Sequence, residues 1–113
     1  MADTLAERIR ASVTGDVLND TKTRALFSRD TSIFSRTPEI VVYPKDADDV
    51  SALVRTIAGA KKDGIKASVT GRSAGTCMSG GSLTDSVVAV FTKYMNHVVD
   101  VREGYAVTEP GVY

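Results

Sequence analysis

A strand, an amphipathic helix and a second strand in immediate succession leave few folds open to a short chain, and residues 40–70 carry that pattern. Ile40-Val41-Val42-Tyr43 is a β-branched run stopped by Pro44, which reads as a buried strand. Asp46 stands where an N-cap belongs, and Asp48 and Asp49 in the next turn suit the positive end of a helix dipole. Val50, Leu53, Val54, Ile57 and Ala58 then recur at helical spacing and define the expected apolar face. Lys61 and Lys62 suit the opposite end of the dipole, and Gly64 supplies the stop. Ile65, Ala67 and Val69 alternate with Lys66, Ser68 and Thr70, which predicts a strand with one buried face. The whole is a βαβ unit, with the right-handed crossover such units adopt.

The flanking segments extend this unit into an α+β fold. Val87 to Phe91 is an uninterrupted apolar run, expected to be a central strand covered on both faces. Val98–Val101 and Tyr105–Thr108 read as two short strands joined through Glu103-Gly104. Upstream, Thr4-Leu5-Ala6-Glu7 has capping-box spacing, and Leu5, Ile9 and Val13 follow as a helix ended by Gly15. A second short helix is expected after Asp20, through Arg24, Leu26 and Phe27. An N-terminal helical pair, a βαβ unit and a small mixed sheet is therefore the expected architecture. The chain breaks off after Pro110-Gly111-Val112-Tyr113 with no cap or change of composition, and this reads as an interrupted domain.

Bulk composition excludes several functions. Fourteen basic and fourteen acidic residues cancel, so no net field draws nucleic acid or an anionic membrane. No segment approaches the roughly 20 apolar residues that span a bilayer. The start, Met1 to Arg10, carries Asp3, Glu7, Arg8 and Arg10 in place of a signal-peptide core. A single cysteine, Cys77, allows no internal disulfide, and a soluble cytoplasmic protein is the expectation.

The chemistry is concentrated in Thr70-Gly71-Arg72-Ser73-Ala74-Gly75-Thr76-Cys77-Met78-Ser79-Gly80-Gly81-Ser82. Glycines let a main chain approach a ligand closely, and successive N–H groups in such a turn form a concave nest for an anion. Thr76, Ser79 and Ser82 add hydroxyls, and Arg72 a cation. The plain alternative is an unliganded connection between strands. Gly71-Arg72-Ser73-Ala74-Gly75 matches the G-x-S-x-G elbow of serine hydrolases, but that elbow needs a helix after it and a histidine partner, and only His97 is available. Gly75–Ser82 resembles a Walker A loop with Gly81 in the lysine position, which removes the cation for the outer phosphates. A Rossmann G-x-G-x-x-G is not present.

The loop does resemble the pyrophosphate loop of the vanillyl-alcohol oxidase and p-cresol methylhydroxylase type of FAD-binding domain. The family pattern R-G-x-G-T-x-x-x-G-G appears as Arg72-Ser73-Ala74-Gly75-Thr76-Cys77-Met78-Ser79-Gly80-Gly81. Pro44, Asp46, Asp49 and Val50 are similar to the family's P-x-s-x-e-D-V segment, Ser28-Arg29-Asp30 to its y-S-x-D element, and Glu109-Pro110-Gly111-Val112 to its v-x-x-G-V turn. The resemblance spans Asp16 to Tyr113, with D-lactate and glycolate dehydrogenases as similar members. It implies the first subdomain of the FAD-binding fold, with residues 1–27 as a helical segment and 28–113 as the first, incomplete part of that domain.

The resemblance further implies that Arg72, Ser73, Ala74, Gly75, Thr76 and Cys77 lie on one side of the FAD pyrophosphate. Gly80, Gly81 and Ser82 would close the other, with Pro110, Gly111 and Val112 bordering the cofactor. Thr76 occupies the position where some branches carry a flavin-linking histidine, which implies non-covalent FAD. Ser73 replaces a commoner glycine, a departure because serine tolerates positive φ poorly. The substrate-orienting residues and base belong to a separate domain of the family, so no residue here is assigned a catalytic or metal-binding role. The complete enzyme is expected to dehydrogenate a small 2-hydroxy acid. This chain alone is expected to be catalytically silent and to bind FAD weakly or not at all.

Two rivals stand beside this reading. One is a non-catalytic domain that folds and self-associates through an exposed sheet edge without flavin. The other is a generic phosphate-binding module. Cys77 reads as a packing residue rather than a redox thiol, His97 as a surface or capping residue, and Lys61, Lys62 and Lys66 as a solvated helix end.

Overall fold

The computed structural model describes residues 4–113. The charged start noted above lies in part, at Met1 and Asp3, outside the described residues. Three helices and six strands follow in the order α1 (Leu5–Ser12), β1 (Asp16–Leu18), α2 (Thr21–Leu26), β2 (Ile40–Tyr43), α3 (Ala47–Lys62), β3 (Val69–Arg72), β4 (Val87–Val90), β5 (Val98–Arg102) and β6 (Tyr105–Thr108).

The helices start where their caps say they should. Thr4 and Glu7 form a reciprocal capping box on α1, Asp20 accepts from the Thr23 N–H at the start of α2, and Asp46 accepts from the Asp49 N–H at the start of α3. Gly64, just past α3, takes φ +86°, a conformation that L side chains rarely adopt.

The main sheet has the order β1-β2-β4-β3. Strands β2, β4 and β3 are parallel, and β1 runs antiparallel along the edge of β2. The strand–helix–strand unit is therefore present, but β2 and β3 are not neighbours: β4 is inserted between them and is buried throughout. The continuous Val87–Val90 run explains this, because an all-apolar strand is stable only where both faces are covered.

The two sheet faces differ. Ile40, Val42, Val87 and Ala89 point to α1 and α3 and pack with Leu5, Ile9, Leu53 and Ile57. Val41, Val88 and Val90 point the other way, against Phe27 and Tyr43 alone. A side chain of the Val or Ile type fully removed from water contributes about 1.5–3 kcal/mol, so the first face holds most of the stability.

Three expectations are corrected. The strand Asp16–Leu18 was not foreseen, because three residues are too few to show alternation. β3 begins at Val69 rather than Ile65 and runs on through Arg72, so Gly71 and Arg72 belong to a strand and not to the loop. The buried face of α3 is Asp49, Leu53, Ile57 and Ala60, whereas Val54 and Ala58 are exposed. The rotation brings Asp49 inside, where its carboxylate accepts from the N–H groups of Thr14, Gly15 and Lys45 at 2.8–3.0 Å.

Candidate functional site

The pairing of β3 with β4 sets the entrance to the glycine-rich stretch. Residues paired across parallel strands share a sheet face, so Gly71 opposite Ala89 faces the helices and Arg72 opposite Val90 faces Phe27. Gly71 lies under the Phe91 ring, where an added Cβ would stand 3.0 Å from ring carbon Cε2. Arg72 is 9% exposed and its guanidinium carbon sits 5.3 Å from the Phe27 ring centre.

From Ser73 to Ser82 the chain has neither helix nor strand. Gly75 and Gly80 take φ +73° and +78°, and among the described residues no residue other than glycine has a positive φ. Ser73 therefore sits in an ordinary backbone region, and the departure from the family's commoner glycine carries no backbone strain. No helix follows Gly75, so the geometry of a nucleophile elbow or a Walker A loop is not formed.

Main-chain hydrogen bonding is the informative property of this stretch. Among the described residues, no protein acceptor receives a main-chain N–H from any residue between Ser73 and Ser82. The stretch carries no charged side chain. A loop of this kind, with left-handed glycines and a series of N–H groups without a protein acceptor, has the elements of an anion nest. Thr76 and Ser79 are exposed alongside it, and Ser82 is buried with its hydroxyl 3.4 Å from the Asp30 carboxylate. The Asp30 carboxyl is held below its ordinary value chiefly by the Ser32 side chain, with the nearby Arg72 charge assisting.

The expected site residues do not all serve alike. Ser73 through Ser82 form one continuous loop without helix or strand. The Arg72 guanidinium instead points behind it: Nη2 donates to the Arg29 carbonyl at 2.7 Å, and Nη1 reaches the Phe27 carbonyl at 3.4 Å. Gly111 and Val112 have their N–H groups occupied by the carbonyls of Met95 and Glu109, at 2.8 and 3.3 Å. Gly111 lies so close to the Phe91 and Met95 carbonyls that an added Cβ would stand 2.3 Å from the first. Phe91 thus touches both stretches, with its ring over Gly71 and its carbonyl against Gly111. Cys77 is half-buried, with its carbonyl accepting from the Thr31 hydroxyl at 2.8 Å.

The residues that sequence reasoning missed are Thr31, Phe34 and Arg36. Phe34 and Arg36 line a shallow depression of about 240 Å³ with Ser79, Gly80 and Leu83. Arg36 pairs with Asp85 at 3.2 Å. This segment has no hydrophobic period, so nothing in its pattern placed it against the loop. His97 pairs with Glu109 at the base of the β5–β6 hairpin, consistent with a capping role. Among the described residues no group of three or more His, Cys, Asp and Glu could hold a metal ion, and no helix is long and apolar enough to cross a membrane.

Comparison with known proteins shows the family and the fold. The family model described as FAD binding domain matches residues 38–113. A D-2-hydroxyglutarate dehydrogenase of Pseudomonas putida is 33% identical over 88 residues, covering 78% of this chain and 8% of that protein. The protein of the same name from Escherichia coli is 28% identical over 110 residues, covering 96% of this chain and 11% of that protein. The chain thus spans about a tenth of the length of these relatives. Among solved structures, p-cresol methylhydroxylase superposes with TM-score 0.76 at 19% identity, over 96% of this chain and 22% of that one. 4-Ethylphenol oxidase from Gulosibacter chungangensis gives TM-score 0.74 at 27% identity over the same shares.

Proposed function

This chain belongs to the FAD-binding domain family, and on that premise we propose that the Ser73–Ser82 cradle holds the pyrophosphate of FAD through its main-chain N–H groups. The observation that carries the reading is the unbroken series of N–H groups without a protein acceptor. Ser73, Ala74, Gly75, Thr76 and Cys77 form one side, Gly80, Gly81 and Ser82 the other, and the Pro110-Gly111-Val112 turn borders the cofactor through Phe91. A dianionic group fits such a nest with no net protein charge, because the N–H dipoles are fixed in place before it arrives. Thr76 offers only a hydroxyl where a linking histidine would stand, so the cofactor is held non-covalently at this position in this reading.

Bound flavin supplies two-electron redox chemistry, and the protein's part is binding and orientation. The relatives are named for a 2-hydroxy acid, which supports the same substrate class for the complete enzyme. It differs from the expected D-lactate and glycolate only in the acid. The single thiol of Cys77 agrees with a reducing compartment, and the reading carries the cytoplasm as its location.

The reading is tested by following backbone amide shifts while the chain is titrated with FAD, FMN and inorganic pyrophosphate. Weak shifts confined to Ser73–Ser82, strongest with FAD and stronger still in a chain extended beyond Tyr113, are the expected result. Equal responses to all three would make the loop a general phosphate module, and no response at millimolar ligand, either in this chain or in one extended beyond Tyr113, would sink the proposal. A second reading, self-association, is favoured by one observation: the β5–β6 hairpin exposes Val98, Val99, Val101, Tyr105 and Val107.

A further inference from the structure

The segment between α2 and β2 meets the cradle at its beginning, middle and end. At the beginning, Arg72 donates to the carbonyls of Arg29 and Phe27. Its guanidinium is packed so closely against Gly75 that an added Cβ would stand 2.3 Å from Nη2. In the middle, the Thr31 hydroxyl donates to the Cys77 carbonyl at 2.8 Å. At the end, the Ser82 hydroxyl donates to Asp30, whose carboxylate is itself anchored by the Ser32 N–H at 2.8 Å. Every one of these bonds uses a side chain or a carbonyl of the loop, or the side chain of Arg72 in the strand that leads into it. None uses a loop N–H.

We infer that Ser28–Arg36 is a strap that holds the main chain of Ser73–Ser82 in its anion-binding shape, with Arg72 as the positioning residue. Fixing each loop residue costs about 1–2 kcal/mol of conformational entropy, and the loop has almost no internal hydrogen bonds to offset it. External bonds to its carbonyls and hydroxyls supply that order while leaving the N–H groups for a ligand, so less ordering is left to the moment of binding. Arginine suits the task because two carbonyls two residues apart call for a planar fork. A lysine offers only a point charge. The purpose assigned to the strap rests on the cradle reading above, whereas its mechanics rest on the hydrogen bonds alone.

The test is ¹⁵N relaxation of the ligand-free chain in wild type, Arg72→Lys and Thr31→Val, followed by FAD titration of each. In wild type the loop should show order parameters in the rigid range near about 0.85. In R72K, amides of residues 27–36 and 73–82 should fall toward about 0.6 or below while Val41, Val42, Val88 and Ala89 stay rigid. FAD affinity should drop roughly tenfold, the worth of a charged hydrogen bond. T31V should loosen only Cys77 to Gly80, and it reads the strap even if R72K fails to fold. Unchanged loop order in R72K or T31V would overturn the inference, as would a loss of order spread evenly over β2 and β4. If wild type shows the ordered loop but neither it nor a chain extended beyond Tyr113 responds to FAD, the flavin reading fails and the strap stands.

Discussion

At the scale of single residues, Asp49 was visible beforehand, but its burial was not. As one of two acidic residues in the first turn of a helix it looked like a dipole-complementing surface charge. In the fold it is 4% exposed and accepts hydrogen bonds from Thr14, Gly15 and Lys45 at once, tying the start of β1 and the entry of α3 together. Burial acts to raise its pKa, but the N–H groups of Thr14, Lys45 and Gly15 and the Thr14 hydroxyl outweigh that and leave it below the ordinary value of 3.8. A depressed folded pKa contributes stability above the unfolded value, and that stability is lost as pH falls through the folded pKa. Urea titrations should therefore show stability falling below about pH 4, with a smaller fall in Asp49→Asn. At pH 7, D49N should cost about 2–4 kcal/mol, because one carboxylate oxygen is replaced by a donor facing N–H groups. Gly75→Ala should cost about 1–3 kcal/mol in the same titration, since its methyl meets the Arg72 guanidinium at positive φ.

At the scale of elements, legibility followed the length and purity of the pattern. The caps at Thr4, Asp20 and Asp46, the run Ile40–Tyr43 and the run Val87–Val90 are local signals, and each element they announce is present. What failed were features decided by partners distant in sequence. β1 exists because Gly15 lets the chain pass against the Tyr43 carbonyl, where a Cβ would clash at 2.0 Å. The start of β3 is set by where β4 offers a partner, with Val69 opposite Val87, and not by the alternation from Ile65. The open loop was legible from its glycines, but its contacts with Ser28–Arg36 were not, since that segment has no period and acts through single side chains. Helix α3 anchors the thick face of the sheet through Leu53, which is fully buried. Leu53→Ala should lower stability by about 2–5 kcal/mol, read as a reduced urea midpoint with unchanged slope. Val54→Ala, on the exposed side of the same helix, should move it by less than about 0.5 kcal/mol. Equal effects from the two would restore the face expected from the apolar spacing alone.

At the scale of the whole molecule, the chain is longer in one direction than its size requires. Its extents are 54 × 33 × 23 Å and its radius of gyration is 14.7 Å, against about 13 Å for a compact domain of this length. The β5–β6 hairpin forms a sheet of its own, closed at its base by the Met95–Gly111 and His97–Glu109 hydrogen bonds. Direct pairing of Val101 with Ala106 puts both on one hairpin face, and pairing of Asp100 with Val107 and of Arg102 with Tyr105 puts these on the other. An isolated two-stranded hairpin is marginal in water, and this one leaves Val99 65%, Val101 71% and Tyr105 61% exposed, with both strands as open edges. Such a surface lowers its free energy by covering itself, and for this chain in isolation another copy is the surface at hand. Sedimentation velocity should therefore show association that rises with concentration. The double substitution Val99→Lys and Val101→Lys should return the chain to monomer, because two charges cannot be desolvated together at a sheet edge. Neither position lies in the core, so the thermal midpoint at low concentration should move little. If the double variant associates as the wild type does, the hairpin is not the contact. A monomeric wild type at high concentration would leave the exposed valines as plain solvated surface, and the self-association reading would go with it.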